Sequence, residues 1–242
     1  MHADAVLLTW AVRKCKSFSG VLSYAVLSLS ATFDKLFDAF GPRHWWPGDS
    51  PLEISVGAIL TQNTAWRNVE KAIANMQEKG LLDAQRLKTI DPVSLSEIIR
   101  PAGFYRIKAT RLKSFIEFLW DEYGGSLERM GRVETETLRR RFLAVRGIGP
   151  ETADSILLYA LGKPIFVVDA YTFRFFGNHG LYPRANTYEE VQSIFMKHLP
   201  LDTQLFNEFH ALIVLLCQRF CKKRPLCESC PLGKDREART RK

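Results

Sequence analysis

Residues 142–176, FLAVRGIGPETADSILLYALGKPIFVVDAYTFRFF, decide how the rest of the chain is read. Leu138, Phe142 and Val145 fall at i, i+4 and i+7, one face of a helix expected to end at Val145. Arg146-Gly147-Ile148-Gly149 is too glycine-rich to continue that helix and is able to take positive φ. A second helix then opens, because Pro150 suits the first helical position and Glu151 the positive end of the dipole. Ala153, Ile156, Leu157, Ala160 and Leu161 keep the helical period, and Gly162 stops it. Two helices joined by a tight Gly-x-Gly turn expose backbone N–H groups at a helix N-terminus, which suits an anion. Asp169 follows the apolar run 165–168. Taken singly, the Gly-x-Gly reads most simply as a turn and Asp169 as a helix N-cap.

The totals narrow the field. A chain of 242 residues can bury a core, as one large domain or two small ones. A formal charge of +8 and a pI near 9.3 point to a polyanionic partner, for which DNA phosphate is the natural anion. Five cysteines are an odd count, with Cys217, Cys221, Cys227 and Cys230 crowded together. Such crowding argues for a metal or cluster site in a reducing compartment rather than a disulfide framework. No uninterrupted apolar run is long enough for a membrane span.

Outward from the central stretch the pattern stays helical. Residues 1–30 hold a weak, serine-rich apolar run and read as an uncertain N-terminal extension. The first reliable helix is 31–40, with Phe33, Leu36, Phe37 and Phe40 on one face. After Gly41-Pro42 comes the loop His44-Trp45-Trp46-Pro47-Gly48. Ser50, Pro51 and Glu53 then spell a helix start with a capping box, and Leu52, Val56, Ile59 and Leu60 follow on one face. The chain breaks at Thr61-Gln62-Asn63-Thr64, and a new helix carries Val69, Ala72, Ile73 and Met76 to Gly80. Further helices fit 83–90, 94–99, 106–122, 135–145, 170–178, 187–198 and 203–221. Only 165–168 looks strand-like, and one such run cannot build a sheet, so the expected fold is all-α.

Together, the hairpin 145–150, the segment Gly162-Lys163-Pro164 and Asp169 resemble the helix-hairpin-helix and Gly/Pro-Asp signature of the endonuclease III superfamily of DNA glycosylases. The resemblance spans residues 33–230 and implies a two-domain fold. A six-helix domain, 45–163, would carry the hairpin. A second helical domain, 31–44 plus 164–242, would carry a C-terminal cluster motif, with Asp169 in the cleft between them. It also implies damaged DNA as the partner, a monomer, and a cytoplasmic, nucleoid-associated place of work.

The same resemblance assigns roles. Asp169 would be the catalytic carboxylate. DNA contacts would come from Gln62, Phe104, Arg106, Lys108, Arg146, Gly147 and Gly149, with Gln62 and the apolar Phe104 filling the gap left by a flipped base. Their plain alternatives are a polar helix cap and a packed core aromatic. Bifunctional members place a lysine where this chain has Glu151, and a carboxylate cannot form a Schiff base. The resemblance therefore implies base removal without a lyase step, Lys108 and Lys163 being the remaining amines. Trp45-Trp46-Pro47 followed by Leu-Thr-Gln-Asn-Thr-x-Trp66 looks like the 3-methyladenine DNA glycosylase III branch, where such residues line the base pocket. Otherwise these tryptophans simply close a core between the domains. The expected activity is thus excision of an alkylated purine, 3-methyladenine first. The rivals are an endonuclease III-like glycosylase/lyase for oxidised pyrimidines or another damaged base, and a non-catalytic DNA-binding protein.

The cysteines run Cys217-x3-Cys221-x5-Cys227-x2-Cys230. Cys-x2-Cys preceded by another cysteine is a strong ligand pattern. The superfamily usually carries Cys-x6-Cys-x2-Cys-x5-Cys around a [4Fe–4S] cluster. Here the first gap is one residue shorter and no cysteine follows Cys230. Cys217, one turn before Cys221, is the candidate fourth ligand or else a buried core residue. Zinc is the alternative metal.

Overall fold

Caps written into the chain set most helix boundaries in the computed structural model, which describes residues 21–45, 48–179 and 187–233. Ser50 Oγ accepts from the Glu53 N–H at 3.2 Å, with Pro51 opening α2 (Pro51–Leu60). The return half of the expected capping box is displaced by one residue. Glu53 Oε2 accepts from the Asp49 N–H and from Gln77 Nε2, both at 3.4 Å, and the second bond fastens α2 to α3 (Trp66–Glu78). Asp83 and Asp91 cap the short α4 (Ala84–Thr89) and α5 (Pro92–Ile98). Next come α6 (Tyr105–Tyr123) and α7 (Leu127–Gly131), the latter a single turn too brief to show a period.

The central stretch folds as α8 (Thr135–Ala144), a turn, and α9 (Pro150–Ser155), which widens into a π turn over Ile156–Ala160. Beyond Asp169 lie α10 (Ala170–His179), α11 (Tyr188–His198) and α12 (Thr203–Arg219). No strand occurs among the described residues. The first helix, α1 (Val21–Phe40), starts well before the expected residue 31, and Leu29 is fully buried. Leu29 anchors this part of the helix in the core, a support that composition does not register. Residues 1–20 lie outside the described ones.

Packing explains what the segments are for. α2 lies against α3, α6, α9 and the π turn, whereas α1 packs on α11 and α12, and α10 on α12. The π turn also touches α12, so it sits where the two sets of helices meet. The strand-like run 165–168 is extended but unladdered, and α11 satisfies its backbone instead. Gln192 Nε2 donates to the Phe166 carbonyl at 2.7 Å, and the Val168 N–H donates to the Tyr188 hydroxyl at 3.3 Å. Phe166 stacks on Phe195 with centroids 3.6 Å apart; burying such a ring contributes about 1.5–3 kcal/mol.

Candidate active site

Asp169 is delivered by this buried segment, and Asp154 on α9 holds the delivery system together. Asp154 is fully buried and accepts from Arg139 on α8 (Nε 2.8 Å, Nη2 3.1 Å) and from Tyr188 (2.8 Å) and Gln192 (2.7 Å) on α11. Both helices of the hairpin are thereby tied to the helix that supports 165–168.

At the head of α10, Asp169 does cap the helix, but with one oxygen only. Oδ1 accepts from the Thr172 N–H at 2.7 Å and from Thr172 Oγ1 at 2.9 Å. Oδ2 faces His210 Nε2 on α12, 3.6 Å away. Burial opposes ionisation of Asp169, yet His210 and the Thr172 bonds outweigh it and hold the carboxyl below the usual range. Glu151, at the first turn of α9, keeps an edge open to solvent, but its carboxyl is crowded by protein. That crowding, and then the Asp169 charge, push it upward, against His210. Two neighbouring carboxyls are driven apart in acidity, a mark of acid–base sites.

Tyr159, on the π turn, completes the cluster: its hydroxyl lies 2.6 Å from His210 Nδ1. The Trp45 indole sits beside the same hydroxyl. Its loop is anchored to α12 by Glu208, buried at 3% exposure, which accepts from the Arg43 N–H at 2.7 Å and the His44 N–H at 2.8 Å. Of the three expected pocket tryptophans, then, Trp45 reaches the cluster. Trp66, the first residue of α3, is partly buried against the core, and Trp46 lies outside the described residues.

The candidate DNA-facing residues gather at the turns. Gln62 Nε2 donates to the Gly147 carbonyl at 3.1 Å and to Thr152 Oγ1 at 2.8 Å, and its Oε1 accepts from Arg111. It is thus tied to the hairpin. Only one hairpin glycine uses the left-handed region: Gly147 has φ +87, where a Cβ would meet Arg111 Cγ at 2.3 Å, whereas Gly149 is extended at φ −94. Arg146 is exposed. Phe104 is 66% exposed with φ 46, so it is no core aromatic. Ile107 beside it is 54% exposed, and the guanidiniums of Arg100 and Arg106 lie over Tyr105.

Lys108 departs from expectation. At 1% exposure it cannot touch DNA; its ammonium donates to the Leu60 carbonyl at 2.9 Å and the Ala102 carbonyl at 2.7 Å. It bolts the segment before Gln62 to the loop before Phe104. Burial, then Arg111, lower its pKa to about 8. Lys108 fell on the interior face of α6, and the motif alone did not reveal that.

Cys221, Cys227 and Cys230 line one cavity at the end of α12, together with Asn178 and His179 of α10. Cys217 does not line it: its sulfur is buried in the core, 3.4 Å from the Tyr171 carbonyl. The expected fourth ligand thus lies outside the cavity, on the face of α12 that packs against α10, with its sulfur beside that of Cys221. Hydrogen bonds from Cys217, His179 and Asn178 favour the Cys221 thiolate, the ligand form of sulfur. The turn is tight enough that a Cβ on Gly233 would meet the Cys227 carbonyl at 2.0 Å. Three sulfurs about one cavity suit a thiolate-bound group, although among the described residues no three His, Cys, Asp or Glu side chains converge to hold an ion outright.

Sequence reasoning missed Tyr159, Glu208, His210, Arg111 and Thr172. Only Thr172 carried a local signal, the Asp-x-x-Thr spacing of an N-cap.

Comparison with known proteins agrees with this architecture. The sequence profile of the HhH-GPD superfamily of base excision DNA repair proteins matches residues 56–201. A candidate DNA repair glycosylase of Methanocaldococcus jannaschii is 47% identical over 199 residues, 81% of this chain and 90% of that protein. The H. pylori 3-methyladenine DNA glycosylase, solved with 1,N6-ethenoadenine, is 29% identical at a TM-score of 0.67, over 78% of this chain and 95% of that one. A non-covalent endonuclease III–DNA complex shares the fold, with a TM-score of 0.75 and 23% identity over 90% of this chain and 99% of that one.

Proposed function

Because the chain belongs to the HhH-GPD superfamily of base excision DNA repair proteins, and is a DNA glycosylase by family, we propose that it is a monofunctional enzyme excising alkylated purines, 3-methyladenine first among them. The observation that carries this is the site itself: a carboxyl, Glu151, beside the ionised Asp169, with the Trp45 indole at the same cluster. The likeness to the H. pylori 3-methyladenine glycosylase supports the choice of base.

In this reading the hairpin at Arg146, Gly147 and Gly149 grips the phosphate backbone. Phe104 and Gln62 occupy the space vacated by the flipped nucleotide, which offsets a few kcal/mol of unstacking. A methylated purine carries positive charge and is drawn to an aromatic face such as Trp45. As its bond to the sugar opens, positive charge grows on the ring, and the Asp169 carboxylate stabilises it and orients the attacking water. Strand nicking would need an amine, and Lys108 is locked between two carbonyls. Cys221, Cys227 and Cys230 would hold an iron–sulfur cluster, or zinc in its place, which would tie the C-terminal turn to α10 and α12.

The test is to incubate the protein with methylated DNA, identify the released bases, and assay nicking of oxidised-pyrimidine DNA in parallel. The expected result is methylpurine release without nicking, reduced about 10²–10⁴-fold in Asp169→Asn. A borohydride-trappable adduct with nicking would overturn the monofunctional reading. Equal DNA binding by parent and Asp169→Asn, with no base released by either, would favour a DNA-binding role.

A further inference from the structure

Behind Asp169 lies a pair of side chains that the scheme above leaves unused. Tyr159 turns its hydroxyl inward to within 2.6 Å of His210 Nδ1, and His210 is 4% exposed. The opposite ring nitrogen, Nε2, is buried with no hydrogen-bond partner and is directed at Asp169 Oδ2, 3.6 Å away. A buried polar atom left in that state costs about 1–3 kcal/mol, so its persistence calls for a role. The helix carrying Tyr159 is widened here: the Leu161 N–H reaches back to the Ile156 carbonyl at 3.1 Å, the π-turn register. Such bulges re-aim a side chain and recur at functional sites.

The donor order follows from acidity. Burial, then Asp169 and Glu151, push the Tyr159 hydroxyl well above its ordinary value, so it stays protonated. A tyrosine that keeps its proton donates to an imidazole nitrogen that lacks one, and the remaining ring proton then sits on the other nitrogen. We propose that Tyr159 and His210 are positioning residues for Asp169. Tyr159 donates to His210 Nδ1, which places the imidazole proton on Nε2, where it holds Asp169 Oδ2 ionised and oriented while the glycosidic bond opens. The proposal deepens, and rests on, the glycosylase reading.

The groups around the carboxylate show why such a donor is needed. Asp169 is faced by Glu151 from α9, Tyr159 from the π turn, His210 and Cys217 from α12, and Thr172 from its own helix. Thr172 serves Oδ1 alone. Without a donor at Oδ2, burial would favour the protonated form of Asp169, which could not stabilise a cation. The separation of 3.6 Å is long for a hydrogen bond, and catalytic contacts commonly tighten only when substrate is bound.

The experiment titrates the Asp169 carboxyl by ¹³C NMR in the full chain without DNA, with the resonance assigned through Asp169→Asn. His210→Leu should raise the midpoint by about one pH unit or more. His210→Gln, which keeps a side-chain N–H without a tautomer to fix, should restore part of it, and Tyr159→Phe should shift the midpoint less than His210→Leu does. Single-turnover base release at acidic pH should drop in the same order, with affinity for abasic-site DNA unchanged. An unmoved midpoint in a folded His210→Leu would overturn the proposal. Should that variant not fold, a Tyr159→Phe protein with parental midpoint and parental rate overturns it instead. A parent that releases no methylpurine sinks the substrate assignment alone, because the midpoints are read without DNA.

Discussion

The segment that carries Asp169 is fastened by side chains distant in the chain, with Thr172 of its own helix capping the carboxyl, whereas the loop at Phe104 presents apolar surface on a left-handed backbone to solvent. The first region draws on α8, α9, α11 and α12 at once: Arg139, Asp154, Tyr188 and Gln192 fasten the hairpin and the segment that carries Asp169. The second is local. Gly103 and Phe104 have φ 68 and 46, and a non-glycine residue held there costs on the order of 1–3 kcal/mol. Preorganised charge needs a rigid surround, while an uncovered apolar side chain stays available to a partner. Lys108 is the link between the two styles, a buried cation that pins the exposed loop to the end of α2.

If the Asp169 region is rigid because of Asp154, removing one partner should damage the whole fold. Arg139→Met leaves the buried Asp154 carboxylate without its cation and is expected to cost about 3–5 kcal/mol in chemical denaturation. A loss within experimental error would show that Tyr188 and Gln192 suffice. Phe104→Ala should behave oppositely. Its stability should match or exceed the parent's, while base release from duplex DNA slows roughly tenfold or more, because nothing fills the unstacked gap. Equal slowing on single-stranded substrate would break that argument, since no opposite strand is there to wedge.

The smallest effect concerns Glu151. Its carboxyl is raised in the folded state, so at neutral pH its charge opposes folding, and the opposition fades as pH falls through the folded value toward 4.5. Asp169 has the reverse sign: its lowered carboxyl adds stability above 3.8, lost as pH falls through the folded value. Glu151→Gln should therefore raise the thermal midpoint slightly at pH 7 and not in acid. A lower midpoint at pH 7 would mean that the Glu151 charge has a stabilising partner.

Much of the helix plan was legible, because helix starts and stops depend on neighbours a few residues away. Ser50-Pro51, Asp83, Asp91-Pro92, Gly124 and Gly162 act through short capping bonds or a positive φ. The segment α1 was misjudged for the same reason, since its support comes from α11 and α12 rather than from its own residues. The site divides along this line too. Asp169, Glu151 and the hairpin glycines stand in one stretch and carry a recognisable order, so the family could be read from the chain.

By itself, then, the sequence determined an all-helical glycosylase architecture and the place of its carboxylates, since both depend on short-range pattern. Tertiary structure alone decided that Lys108 is buried, that Cys217 lies outside the cavity lined by the other three cysteines, and that Glu208, Tyr159 and His210 belong to the Asp169 cluster. Burial and hydrogen bonding between α12 and residues tens to more than a hundred positions away arise only when the helices pack, and no local period encodes them.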